Sequence, residues 1–160
     1  MSRNTAIHLV QFIQPSGVEL NAHLVLDKKL TRQEIKLNTL NKYVQQHPTG
    51  WKKRLELAQL LYSMGRWEEA ISQFRLVLKQ QSQSMEIHLQ LGKIFHLMAR
   101  EAEAIEIYES ALALAESVAT RHHIAGTIAV CQGSNCKAAS AFESAVALEP
   151  DNLTHWHALG

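Results

Sequence analysis

Apolar residues between Trp51 and Leu78 fall into two helical stripes with a short break between them. Leu55, Ala58 and Tyr62 recur three and four positions apart, and Leu57 and Leu61 share the same face. This spacing predicts an amphipathic helix. Ser63-Met64-Gly65-Arg66 interrupts it, and Gly65 suits the left-handed conformation that ends a helix. A second stripe follows at Trp67, Ala70, Ile71, Phe74, Val77 and Leu78. The segment therefore reads as helix, tight turn, helix. Ala70 is small where the two helices approach, and Phe74 fills the space beside it.

The same plan returns twice downstream. Leu91-Gly92 and Phe95 belong to a first helix, and Ala104, Ile105, Tyr108, Ala111 and Leu112 to a second. The turn between them, Met98-Ala99-Arg100-Glu101, lacks the glycine. Ala125-Gly126 and Ala129 then precede Gly133 at a turn, and Ala138, Phe142, Ala145 and Leu148 follow. The units run 51–84, 85–118 and 119–152, each 34 residues long. Leu57, Leu91, Ala125 and Leu159 form one column; Ala58, Gly92, Gly126 and Gly160 form the next. Ala70, Ala104 and Ala138 make a third, and Phe74, Tyr108 and Phe142 a fourth. A fixed period of this size predicts a solenoid, in which each unit buries its apolar face by stacking on its neighbour.

The ends read less simply. Leu153–Gly160 opens a fourth unit, with Asp151 or Asn152 available to cap it. It is either a short capping helix or the start of a further repeat in a longer array, and the pattern favours the second. Upstream, Thr31-Arg32-Gln33-Glu34 has capping-box spacing. Ile35, Leu37, Leu40, Tyr43 and Val44 form an apolar stripe before Pro48-Thr49-Gly50. This predicts a capping helix at about 32–46 within a segment 31–50. Residues 1–30 admit two readings. Alternation from Val18 to Leu26 after the turn signal Gln14-Pro15-Ser16-Gly17 suggests a β-hairpin with Ile7–Ile13. The repeat register instead predicts a degenerate helix at about 17–28, with Leu20 and Leu24 one turn apart.

Gly65-Arg66-Trp67-Glu68-Glu69-Ala70-Ile71, and Glu149-Pro150-Asp151-Asn152 leading into Trp156-His157-Ala158-Leu159-Gly160, resemble the tetratricopeptide repeat. The likeness covers residues 51–160. It departs at Arg54, His88 and His122, which replace the first aromatic, and at Ser82 and Glu116, which replace proline. The resemblance implies an all-α, right-handed superhelical solenoid of antiparallel helix pairs whose first helices line a concave groove. It also implies a peptide or protein partner in that groove. The groove residues would be Lys52, Leu55, Gln59 and Tyr62, then Glu86, Leu89, Lys93 and His96, then Thr120, His123, Thr127 and Val130. Two ligand classes of the family are disfavoured. A clamp for a C-terminal carboxylate needs Lys, Asn and Arg where Leu55, Gln59, Thr120 and Ile124 stand. An asparagine ladder is replaced by Glu56, Gln90 and Ile124.

Charge and composition narrow the function further. A formal net charge of +1 offers no field for nucleic acid or an anionic membrane. Lys28-Lys29 and Lys52-Lys53-Arg54 read as solvated faces. No apolar run reaches the roughly 20 residues of a membrane span, and the N-terminus lacks a signal-peptide pattern. Two cysteines, Cys131 and Cys136, make no disulfide framework, which suggests a cytoplasmic setting. The closest histidine pairs, His122-His123 and His155-x-His157, lack the i, i+4 spacing of a helical metal site. Cys131 and Cys136 straddle the turn of the third unit and could approach His96 or His123 only through the stacking, and no metal or cofactor is expected. Phosphate loops, nucleophile elbows and paired catalytic carboxylates are absent from the sequence. Glu68-Glu69 and Glu101-Ala102-Glu103 suit the starts of second helices. The expected function is a non-catalytic interaction scaffold. The alternatives are an N-terminal targeting module of a longer enzyme, such as a sulfo- or glycosyltransferase, and self-association through an uncapped repeat end.

Overall fold

A computed structural model describes the backbone of residues 17–159 and the side chains of Lys28 and residues 31–158. All its regular structure is helical. A long helix, α1 (Gly17–Gln46), leads into three antiparallel pairs: α2 (Trp51–Ser63) with α3 (Trp67–Leu78), α4 (Met85–Leu97) with α5 (Glu101–Leu114), and α6 (Val118–Cys131) with α7 (Asn135–Leu148). A short α8 (Leu153–Leu159) follows. Contacts are densest within each pair and continue from each element to the next along the chain. This is the stacked order of a solenoid.

The close approach inside the second and third pairs comes from the glycine–aromatic columns. A Cβ built on Gly92 would lie 2.6 Å from the Tyr108 ring, and one on Gly126 2.5 Å from the Phe142 ring. Both aromatics are buried, so neither ring has free space to retreat into. Ala58 and Phe74 hold the corresponding positions of the first pair and are also buried. The third column, Ala70, Ala104 and Ala138, is buried throughout.

The three turns share one backbone design. Gly65 donates its N–H to Tyr62 O at 3.0 Å, and Arg66 N–H reaches Leu61 O at 2.9 Å. Ala99 and Arg100 repeat these bonds to His96 and Phe95, and Gly133 and Ser134 repeat them to Val130 and Ala129. Each is a Schellman motif, which satisfies carbonyls the helix end leaves open. Its central residue is left-handed: φ is 74° at Gly65, 55° at Ala99 and 68° at Gly133. The second turn thus forces on alanine a conformation that glycine adopts freely.

The N-terminal segment differs from expectation. The strand reading of Val18–Leu26 gives way to helix, while the partner strand Ile7–Ile13 lies outside the described residues. The degenerate helix and the capping helix also merge into one, with no break near Thr31. No proline or second glycine falls between Gly17 and Pro48, so nothing in the backbone chemistry interrupts the helix. A two-stranded hairpin, by contrast, has little stability of its own. Leu37, Leu40 and Val44 are buried, whereas Ile35 and Tyr43 are exposed. Only the first three lie on the face that α1 turns toward α2.

Most buried apolar residues fall into two clusters, with Ala119, Ala145 and Val146 outside both. The larger runs from Leu37 to Ile124. The smaller comprises Ala129, Ala138 and Phe142, with Ala158 of α8 packed against it. The α8 start is capped by Asn152, whose Oδ1 accepts the Thr154 N–H at 3.1 Å. No helix among the described residues is long and apolar enough to cross a membrane.

Two substitutions test this account by thermal or denaturant melts. Ala104→Glu, at a fully buried position, is expected to cost at least about 2–4 kcal/mol through overpacking and burial of a charge. Ala99→Gly is expected to stabilise by about 0.5–1 kcal/mol, because relief of the left-handed strain outweighs glycine's larger unfolded-state entropy.

Candidate functional site

The first helices of the pairs place the predicted groove residues by their spacing. Lys52, Leu55, Gln59 and Tyr62 follow one another along one side of α2, and Glu86, Leu89, Lys93 and His96 do the same on α4. Between these helices lies a cavity of about 300 Å³ lined by Gln59, Tyr62, Phe74, Gln90, Lys93 and Ile94. Its rim is polar. Gln59 Nε2 donates to Gln90 Oε1 at 3.2 Å, and Gln90 Nε2 donates to Glu86 Oε1 at 2.8 Å. Its floor is apolar, since Phe74 and Ile94 are core residues. Leu55, Tyr62 and Leu89 are half-buried and lean on the same core. Lys52 is exposed, its Nζ 5.6 Å from the Trp51 ring. Lys93 is exposed as well.

The third pair presents less. Thr127 Oγ1 donates to its own helix at His123 O, 3.1 Å away. Thr120 is half-buried, and its N–H reaches the capping Ser117 Oγ at 3.4 Å. Val130 is exposed. Ile124 is fully buried, so it offers no group to a ligand.

The two histidines predicted for the groove are engaged with other side chains. His96 Nδ1–H donates to Glu101 at the start of α5, 2.8 Å to Oε2. Cys131 Sγ at the end of α6 lies 3.6 Å from the same nitrogen. His96 first, and then Cys131, holds the Glu101 carboxyl below its usual range. Burial, reinforced by Glu101, pushes the Cys131 thiol up to about 11. The trio is not a catalytic triad. Thiol and carboxylate meet the same ring nitrogen, whereas a general base must hold the nucleophile on one nitrogen and its orienting partner on the other.

His123 packs its ring against Phe142 and His155, with centroids 5.5 and 5.1 Å away. His155 is buried. It donates through Nε2–H to Glu149 Oε2 at 3.2 Å and faces His123 Nδ1 with its own Nδ1 at 3.2 Å. Ser117 Oγ–H and Asn152 Nδ2–H also donate to Glu149, at 2.6 and 3.0 Å. Together these hold its carboxyl below the usual range. The chain of bonds joins α6 to α8. It does not converge on one point, because His123 and Glu149 sit on opposite nitrogens of His155.

Sequence reasoning passed over Gln90 and Ile94 as cavity residues and read Glu101 only as a helix-start charge. A signal existed. Side-chain bonds between units join residues about one period apart: Gln59–Gln90 at 31, Glu68–Arg100 at 32, Ser117–Glu149 at 32, His123–His155 at 32 and His96–Cys131 at 35. Polar residues at these offsets are neighbours in a stacked array even when no local motif links them.

The tetratricopeptide repeat family model matches residues 55–119. No curated protein sequence matches the chain. Solved structures of similar fold include MamA, at 21% identity over 83% of this chain and 79% of that one, TM-score 0.64. The MamA of Desulfovibrio magneticus RS-1 gives 19% identity, 86% and 78% coverage, and TM-score 0.65. YrrB, described as a TPR protein with an unusual peptide-binding site, gives 18% identity, 75% and 62% coverage, and TM-score 0.58. At these identities the likeness is one of fold.

The His123–His155 junction gives the fold a pH dependence. Burial first, and then His155, holds His123 below its ordinary value of 6.5. The unfolded chain therefore takes up that proton before the folded one does as pH falls. This contribution to stability is intact above about 6.5 and is lost as pH drops through the depressed folded value. Thermal melts at pH 7.5 and 5.5 should show a lower Tm at the acid value, and His123→Gln should shrink the difference.

Proposed function

We propose that this chain, a tetratricopeptide helical-repeat protein, is a non-catalytic scaffold that binds an extended peptide segment of a partner protein in the groove between its first helices. One observation carries the reading: the α2–α4 cavity has an apolar floor and a rim of amides and one lysine. Such a pocket takes an apolar side chain of a bound segment, while Gln59, Gln90 and Lys93 engage its backbone carbonyls or a carboxylate. The mixed charge of Lys52, Glu86 and Lys93 favours recognition by shape and hydrogen bonds over attraction to a strongly charged ligand. The fold shared with YrrB, whose description names a peptide-binding site, supports the same reading.

Selection of binders from a displayed random-peptide library, followed by affinity measurement in solution, tests it. A Gln59→Ala, Lys93→Ala double variant alters exposed positions and should keep the wild-type melt. Its affinity for the selected peptides should fall about tenfold or more, equivalent to about 1.4 kcal/mol. Peptides that bind the variant as tightly as wild type would overturn the assignment of the pocket.

A further inference from the structure

We propose that His96, Glu101 and Cys131 form a binding site for a divalent transition metal of the zinc class, with its fourth position open to the groove. The claim stands whether or not a peptide binds there.

Each residue offers one donor atom, and the imidazole nitrogen, carboxylate oxygen and thiol sulfur all lie within 4.8 Å of one another. The residues come from three successive helices, α4, α5 and α6. In a tetrahedral zinc site, bonds of about 2.3 Å to sulfur and 2.0 Å to nitrogen set the sulfur–nitrogen edge near 3.5 Å. The Cys131 Sγ to His96 Nδ1 distance is 3.6 Å. The nitrogen–oxygen edge in such a site is about 3.3 Å, against the present 2.8 Å hydrogen bond to Oε2 and 3.1 Å to Oε1. The Glu101 carboxylate needs to withdraw from the ring nitrogen by about half an ångström, and the sulfur–oxygen edge, within 4.8 Å here, needs to settle near 3.5 Å, adjustments that side-chain torsions allow.

The donor set selects the metal. One sulfur, one nitrogen and one oxygen suit zinc and its neighbours; magnesium and calcium require oxygen donors throughout. Charge also balances. A thiolate and a carboxylate neutralise a dication while the imidazole binds neutral, with its proton on Nε2 and the thiol proton passed to solvent. The side chains of His96 and Glu101 are each 39% exposed, so an ion can enter, and water or a donor from a bound partner can complete the tetrahedron. Among the described residues no other group of three such donors converges in this way. An ion here would tie the second helix pair to the third.

Titration of the whole reduced chain with cobalt(II), followed by zinc(II), tests the site. Cobalt should give the intense visible absorption of a tetrahedral centre together with a thiolate-to-cobalt charge-transfer band, and zinc should displace both. Cys131→Ser should abolish the charge-transfer band, whereas Cys136→Ser, at an exposed cysteine in α7, should retain it. His96→Gln and Glu101→Gln should each weaken cobalt binding at least about tenfold, with circular dichroism melts confirming that each variant folds. The wild-type spectrum needs no variant: absence of a thiolate–cobalt band with cobalt in excess overturns the proposal. So does a band that survives Cys131→Ser, or unchanged affinity in both His96→Gln and Glu101→Gln.

Discussion

In the second and third pairs the helices lie so close that an aromatic ring on one occupies the place where the other would carry its side chain. Tyr108 sits where a Gly92 Cβ would point, and Phe142 where a Gly126 Cβ would point. The rest of the array inherits its dimensions from this interlock. The turn must be short enough to bring the rings into position, which the three Schellman motifs achieve with a single left-handed residue. Small residues must also follow one another down the second helices, as Ala70, Ala104 and Ala138 do. With the pair spacing fixed, neighbouring first helices stand far enough apart to leave the cavity between α2 and α4. That cavity is thus a by-product of packing elsewhere.

This interlock also explains what the sequence reveals and what it conceals. Helices α2 to α7 are legible because their constraint is periodic: the Ala70–Ala104–Ala138 and Phe74–Tyr108–Phe142 columns impose the same residue size every 34 positions. The N-terminal segment has no partner column. There the alternation of Val18 to Leu26 competes with helical spacing, and the absence of a breaker before Pro48 decides the matter. On α1 the face that packs, Leu37, Leu40 and Val44, is narrower than its apolar stripe, because among the described residues its main packing partner is α2.

Site residues divide along the same line. Gln59, Tyr62 and Lys93 follow from helical spacing and do line the cavity. The convergence of His96, Glu101 and Cys131 cannot be seen within any one helix, since it depends on how far one unit is displaced on the next. The same holds for His123, which spacing places among the groove residues and whose ring packs, tilted, against Phe142 and His155. Arg100 shows the pattern in its simplest form. It stands at the N-cap of α5 and pairs with Glu103 of that helix, reaches back 2.9 Å to Glu68 of the preceding unit, and lies 4.8 Å over the Phe95 ring. Its role is defined by three helices at once.

The division of the core into two clusters has a dynamic consequence. The larger contains all the big side chains that are almost wholly sealed from solvent, Phe74, Phe95, Leu57, Leu91, Ile94, Ile124 and Val77. The smaller rests on two alanines and one phenylalanine. Opening free energy tracks the apolar area that must be exposed. Amide protons in α7 and α8 should therefore exchange with solvent deuterium through a local event, well below the energy of global unfolding, while those of α2 to α5 wait for the whole molecule to open. If that end opens, the pocket between α2 and α4 keeps its walls, because every residue lining it belongs to α2, α3 or α4.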